Sequence, residues 1–221
     1  MSNLAYYIVC AVLVAGVLGG IAMMSRVKTA VAGNALSAAC TAAAIFVTLY
    51  KYHLLTQAGL WVCLALGLAV GIVGAYRVKM IQMPQAVALL NGFGGAASAL
   101  VAAVSLMEGL TGIFSLVTAG LALAVGMITL TGSLIAAGKL ISQRPVVWKG
   151  HSAIVGLSIV LTAVTVALAA VPTVPVWLSL VLCLCFSGFF GVAFAIRVGG
   201  ADMPITISLL NSLSGVAGAI A

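Results

Sequence analysis

The chain has 221 residues, 65% hydrophobic and 5% charged, whereas soluble globular chains carry about a quarter charged residues. With 9 Lys and Arg against 2 Asp and Glu, a net charge of +7 and a mean hydropathy of +1.37, an ordinary soluble domain is excluded, and most of the surface must face lipid. The positive charge does not point to nucleic acid, because the basic residues sit in short gaps between apolar runs, where they act as topology signals.

The N-terminal apolar run has no basic residue before it and no small-residue cleavage site, so it reads as a first span and not as a signal peptide. At about 20 apolar residues per span, the sequence predicts membrane helices over 4–24, 30–50, 59–76, 84–107, 112–137, 152–171, 176–196 and 204–221. The fold class is therefore all-α, a polytopic membrane helix bundle of eight transmembrane helices. The runs are apolar on every face and rich in Gly and Ala, which suits packed helices and not the alternating strands of a closed barrel. Cys10, Cys40, Cys63, Cys183 and Cys185 all lie inside these runs, with no CxxC and no Cys/His pair at metal spacing. They read as small packing residues, and no metal site is expected.

Orientation follows from the loops. Numbered in order, the odd loops hold Arg26, Lys28, Arg77, Lys79, Lys139, Arg144, Lys149 and Arg197, while the even loops and the N-terminal tail hold only Lys51. By the positive-inside rule the odd loops are cytoplasmic and the N-terminus is outside. Eight spans also put Ala221 outside, within an apolar run that has no polar stop, so the chain is expected to continue beyond it.

A repeat recurs at a spacing of 120 residues. Arg77-Val-Lys-Met-Ile-Gln-Met-Pro84-Gln-Ala-Val-Ala-Leu-Leu-Asn91-Gly-Phe-Gly-Gly95 aligns without a gap on Arg197-Val-Gly-Gly-Ala-Asp-Met-Pro204-Ile-Thr-Ile-Ser-Leu-Leu-Asn211-Ser-Leu-Ser-Gly215, and Gly71/Gly191 and Ala75/Ala195 match upstream. Four spans separate the copies, which makes the internal repeat a parallel one. Proline is at home in the first helical turn, so Pro84 and Pro204 mark two cytoplasmic helix starts.

Asn91 and Asn211 each follow their proline by seven residues, which puts both amides about 10 Å into a hydrocarbon core of about 30 Å. In the fifth span, Thr129, Thr131 and Ser133 precede Lys139, and Ser133 falls about 9 Å from the same face. Three helices thus carry polar groups at one depth, where each needs a partner. Such a layer can be interhelical glue, or it can be the wall of a hydrated ion or proton path. Glu108 reads as a solvated turn residue. Asp202 suits the positive end of a helix and also lies in a flexible loop that feeds the polar layer. His53 and His151 are placed in interfacial loops, too shallow for a relay. The glycine clusters fit no dinucleotide fingerprint, and no catalytic or cofactor-binding residue is expected.

The runs Met83-Pro84 to Gly95, Thr129-Leu-Thr131-Gly132-Ser133 to Lys139, and Gly199-Gly-Ala-Asp202-Met-Pro204 through Leu210-Asn211-Ser resemble the membrane domain of the beta subunit of proton-translocating nicotinamide nucleotide transhydrogenase, across essentially the whole chain. The resemblance implies an oxidoreductase complex of the bacterial inner membrane that couples hydride transfer from NADH to NADP to inward proton movement. It implies a nine-span membrane region followed by an NADP-binding domain absent from this chain. It also implies an alpha subunit that brings NAD(H) and further helices, and a homodimer of alpha-beta units in membrane lipid. No cofactor is expected within these residues. Asn91, Ser133 and Asn211 correspond to proton-path positions, and Asp202 to the cytoplasmic exit. Some members carry histidine at the position of Asn91; asparagine cannot titrate, so the proton-accepting histidine is expected on an alpha-subunit helix. A self-contained transporter or channel, or a structural membrane subunit, is the competing reading.

Overall fold

The computed structural model describes residues 1–142, 146–171 and 173–220. Among the described residues it is all-α, with no strand. The eight helices are α1 (Asn3–Met24), α2 (Ala30–Lys51), α3 (Ala58–Arg77), α4 (Met83–Met107), α5 (Ile113–Ser142), α6 (His151–Leu168), α7 (Val176–Ile196) and α8 (Met203–Ile220). All eight are long and apolar enough to cross a membrane, and a helix satisfies its own backbone where water is lacking. Two bounds differ from the sequence reading by more than one residue. α5 runs past Ala137 to Ser142, because Gly138 to Ser142 carries a single charge, Lys139, and a lysine stem lies along a helix without breaking it. α6 stops at Leu168 and not at residue 171; the proline at 172 disfavours helical geometry in the residue before it. Arg144, Pro172 and Ala221, used in the topology reading, lie outside the described residues.

The chain divides into two compact units, Met1–Arg77 and Val78–Ala221. In the first, α1 and α2 form a hairpin with backbones in direct contact: a Cβ on Gly20 would lie 2.6 Å from the carbonyl oxygen of Gly33. Small residues permit that approach in a membrane. Thr29 Oγ1 closes the turn by donating to Met23 O at 2.6 Å, and Lys51 Nζ donates to Asn3 Oδ1 at 2.6 Å across the other end. No residue of α3 is buried.

In the second unit α5 is the central helix, with α4, α6, α7 and α8 all packed on it. Gly109 and Gly112 adopt φ values of +85° and +94°, a left-handed backbone that glycine takes without strain, so α4 turns tightly into α5. The two helices then cross at Gly95 and Gly126, where a Cβ on either would lie 2.6 Å from the other's carbonyl oxygen. Gly191 on α7 seats against Ile128 O and Thr131. Leu210 of α8, fully buried, lies over Gly132. A small apolar core of Ala102, Leu106, Ala122, Leu123, Val166 and Leu180 fills the end near the α4–α5 turn.

The sequence repeat reappears in three dimensions. Short 3₁₀ turns at Met80–Gln82 and Gly200–Asp202 precede α4 and α8 at the same 120-residue offset. A Cβ on Gly94 would lie 3.2 Å from Ser214 Oγ, and one on Gly218 3.8 Å from Ser98 Oγ. Both pairs keep the repeat spacing, so α4 and α8 run parallel with no axial stagger. Asn91 and Asn211 therefore sit at the same level.

Candidate functional site

Asn91 and Ser133 meet because glycine brings their helices together. Gly92, beside Asn91, is so near Ser133 that a Cβ would lie 3.2 Å from the serine Cβ. Asn91 Nδ2 donates to Ser133 Oγ at 3.0 Å, and both residues are buried. Asn91 Oδ1 is also buried but accepts no hydrogen bond. An unpaired amide oxygen away from water costs about 1–3 kcal/mol, so this atom is an acceptor awaiting a donor.

The other hydroxyls of α5 do not join the pair. Thr129 Oγ1 donates to Val125 O at 2.8 Å and Thr131 Oγ1 to Met127 O at 3.0 Å, the usual way a helical threonine satisfies itself. Asn211 is level with Asn91 yet exposed, on a face of α8 shared with Ser208 and Ser212. Its neighbour Leu210 points into the bundle, and one residue is about 100° of helical rotation. The structure thus brings Asn91 and Ser133 together and leaves Asn211 facing outward.

Asp202 ends the 3₁₀ turn before α8 and is exposed. It lines a cavity of about 470 Å³ together with His151, Ser152, Phe194 and Arg197. His151 corrects the sequence reading. It is not a loop residue but the first residue of α6, only 5% exposed, with Nδ1 buried and unpartnered. Trp148 stacks on Phe189 with centroids 6.0 Å apart and holds its ring 5.7 Å from that of His151. The sequence signal for this placement is Gly150, which takes φ +70° as the cap of α6 and so marks a helix start one residue before the histidine. Glu108 is an exposed C-cap, and His53 an exposed turn residue.

All-helical spans, glycine-matched crossings and an amide–hydroxyl pair buried between helices define a polytopic membrane protein. Within that class, residues 4–221 match the NAD(P) transhydrogenase beta subunit family, and the chain belongs to it. Two curated sequences from Rhodospirillum rubrum, each named NAD(P) transhydrogenase subunit beta, are 37% identical over 224 residues, covering 95% of this chain and 48% of their own length. The chain spans about half the length of the curated relatives it matches.

Proposed function

We propose that this chain is the proton-conducting membrane part of a transhydrogenase beta subunit, in which Asn91, Ser133 and Asn211 solvate the path and Asp202 stands at its cytoplasmic exit. The observation that carries the reading is the bare Oδ1 of Asn91, buried beside Ser133 at the level of Asn211. An amide and a hydroxyl can each accept and donate, so they pass a hydrogen-bonded chain of waters along without themselves titrating. The titrating group belongs to a histidine on an alpha-subunit helix, since imidazole changes charge near neutral pH. The exposed polar face of α8 around Asn211 supports a covering helix there, because polar side chains facing lipid seek partners. The complex, a homodimer of alpha-beta units, lies in the bacterial inner membrane with the N-terminus of this chain outside.

Bound NAD(H) and NADP(H) supply hydride transfer in soluble domains of that complex. Residues here do not suit a nucleotide: a phosphate-binding glycine loop joins a strand to a helix, whereas Gly94 and Gly95 lie within α4, and Gly199 and Gly200 lead into a 3₁₀ turn. The contribution of this chain is the proton.

Replacing Ser133 or Asn211 by leucine in the complete complex should slow proton pumping and reverse transhydrogenation in reconstituted vesicles. Hydride exchange between nucleotides on the isolated soluble domains should be unchanged. Wild-type coupling in a stable, normally abundant double leucine variant would mean that the polar layer only joins helices.

A further inference from the structure

The cavity beside Asp202 contains a titratable side chain that the path described so far does not use. We propose that His151 is the proton-exchange group of this inner-end cavity, passing protons between its water and Asp202. The inference rests on the proton-conduction reading and adds to it a proton-carrying residue within this chain.

Three features support it. A histidine buried for packing alone satisfies both ring nitrogens, because a bare buried one costs about 1–3 kcal/mol; His151 leaves Nδ1 without a partner. The ring lines a space of about 470 Å³, room for on the order of ten waters, so water borders the ring. The surroundings also suit a ring that takes on charge during transfer. Asp202 lines the same cavity, and Trp148, with its centroid 5.7 Å away, offers the aromatic surface that attracts a cation.

The charged groups around it come from every neighbouring element. Arg197, the C-cap of α7, opposes a second positive charge, and Asp202 from the turn before α8 favours it. Lys149 is exposed two positions before the ring, and Lys139 is buried near the end of α5, which packs against the turn holding Asp202. One anion among these cations lets the imidazole take up a proton and give it back. The proton adds to a ring nitrogen to form imidazolium and leaves to the Asp202 carboxylate or to cavity water, and no other bond changes.

The test uses the complete complex in vesicles, with proton pumping followed at several pH values. His151→Ala should slow coupled turnover by at least about tenfold, and imidazole added on the cytoplasmic side should restore much of it, since the emptied ring volume adjoins an open cavity. His151→Gln, which keeps size and polarity but has no ring nitrogen to carry a proton, should remain slow and show a flattened pH profile of pumping. Full activity in His151→Gln, or a loss in His151→Ala that imidazole leaves unchanged in a normally assembled complex, would overturn the proposal. If the leucine variants of Ser133 and Asn211 keep wild-type coupling while imidazole still rescues His151→Ala, the inner-end assignment stands and the path above it runs elsewhere.

Discussion

Gly95 admits no side chain. A Cβ there would lie 2.6 Å from Gly126 O and 2.7 Å from Thr129 Cβ, and neither a backbone carbonyl nor a β-branched carbon can swing aside. Gly95→Ala should force α4 and α5 apart and cost about 1–3 kcal/mol, seen as a lower unfolding midpoint in detergent. Gly156→Ala is the control: a Cβ on that exposed α6 residue meets nothing within 4 Å, and alanine is the better helix former by somewhat under 1 kcal/mol, so stability should hold or rise. Equal losses in the two variants would show that the α4–α5 crossing is looser than described. The polar pair beside the crossing can be weighed in the same assay. A double-mutant cycle with Asn91→Ala and Ser133→Ala should return a coupling of about 0.6–1.7 kcal/mol, the range for hydrogen bonds between membrane helices. Coupling near zero would mean that the 3.0 Å contact adds nothing to stability.

At the scale of the element, the repeat makes a geometric claim that crosslinking can test. With the five natural cysteines replaced, the pair Gly94→Cys and Ser214→Cys should form a disulfide, because the Cβ position of Gly94 lies 3.2 Å from Ser214 Oγ and bridged residues need Cβ atoms about 3.5–4.5 Å apart. Ser98→Cys with Ser214→Cys is offset by one helical turn, about 5.4 Å, and should not. The reverse pattern would show that α4 and α8 are staggered and that Asn91 and Asn211 lie at different depths. Level along the helices is what the sequence conveyed well here. Pro84 and Pro204 located the helix starts within a residue, and counting from them put Asn91 at the level where Ser133 meets it. Rotation about the helix axis was not legible. The repeat gives Leu90 and Leu210 the same place, yet Leu90 is 69% exposed and Leu210 fully buried, because α5 packs on different faces of the two helices. The same limit hid the exposure of Asn211. For His151, the flanking Lys149 marked the start of a span-length helix, but burial there depends on Trp148 and α7, which no local pattern encodes.

Across the whole molecule, charge decides which way the helices point. Apolar length fixes only that a segment spans; the side on which its ends emerge is set by where lysine and arginine fall in short loops. Eight of the nine basic residues lie in odd loops or in the helix ends that lead into them, and only Lys51 is at an even one, a bias that any uncounted or extra span would have scrambled. The structure uses that lone even-loop lysine locally: Lys51 donates to Met1 O and Asn3 Oδ1, tying the N-terminus to the same end of the first unit. The polarity of the proposed path depends on this orientation, since the cavity with His151, Arg197 and Asp202 is cytoplasmic only if the α5–α6 loop is. A cysteine at Val147, exposed between α5 and α6, and one at Thr173, exposed between α6 and α7, test it without removing a charge. In a cysteine-free background, a membrane-impermeant maleimide applied to intact spheroplasts should label Thr173→Cys and spare Val147→Cys, and inverted vesicles should give the opposite pattern. Labelling of both from one side would break the alternation of spans. A clean inversion would keep the eight helices but place the His151 cavity outside, and the assignment of Asp202 to the cytoplasmic exit would fall with it.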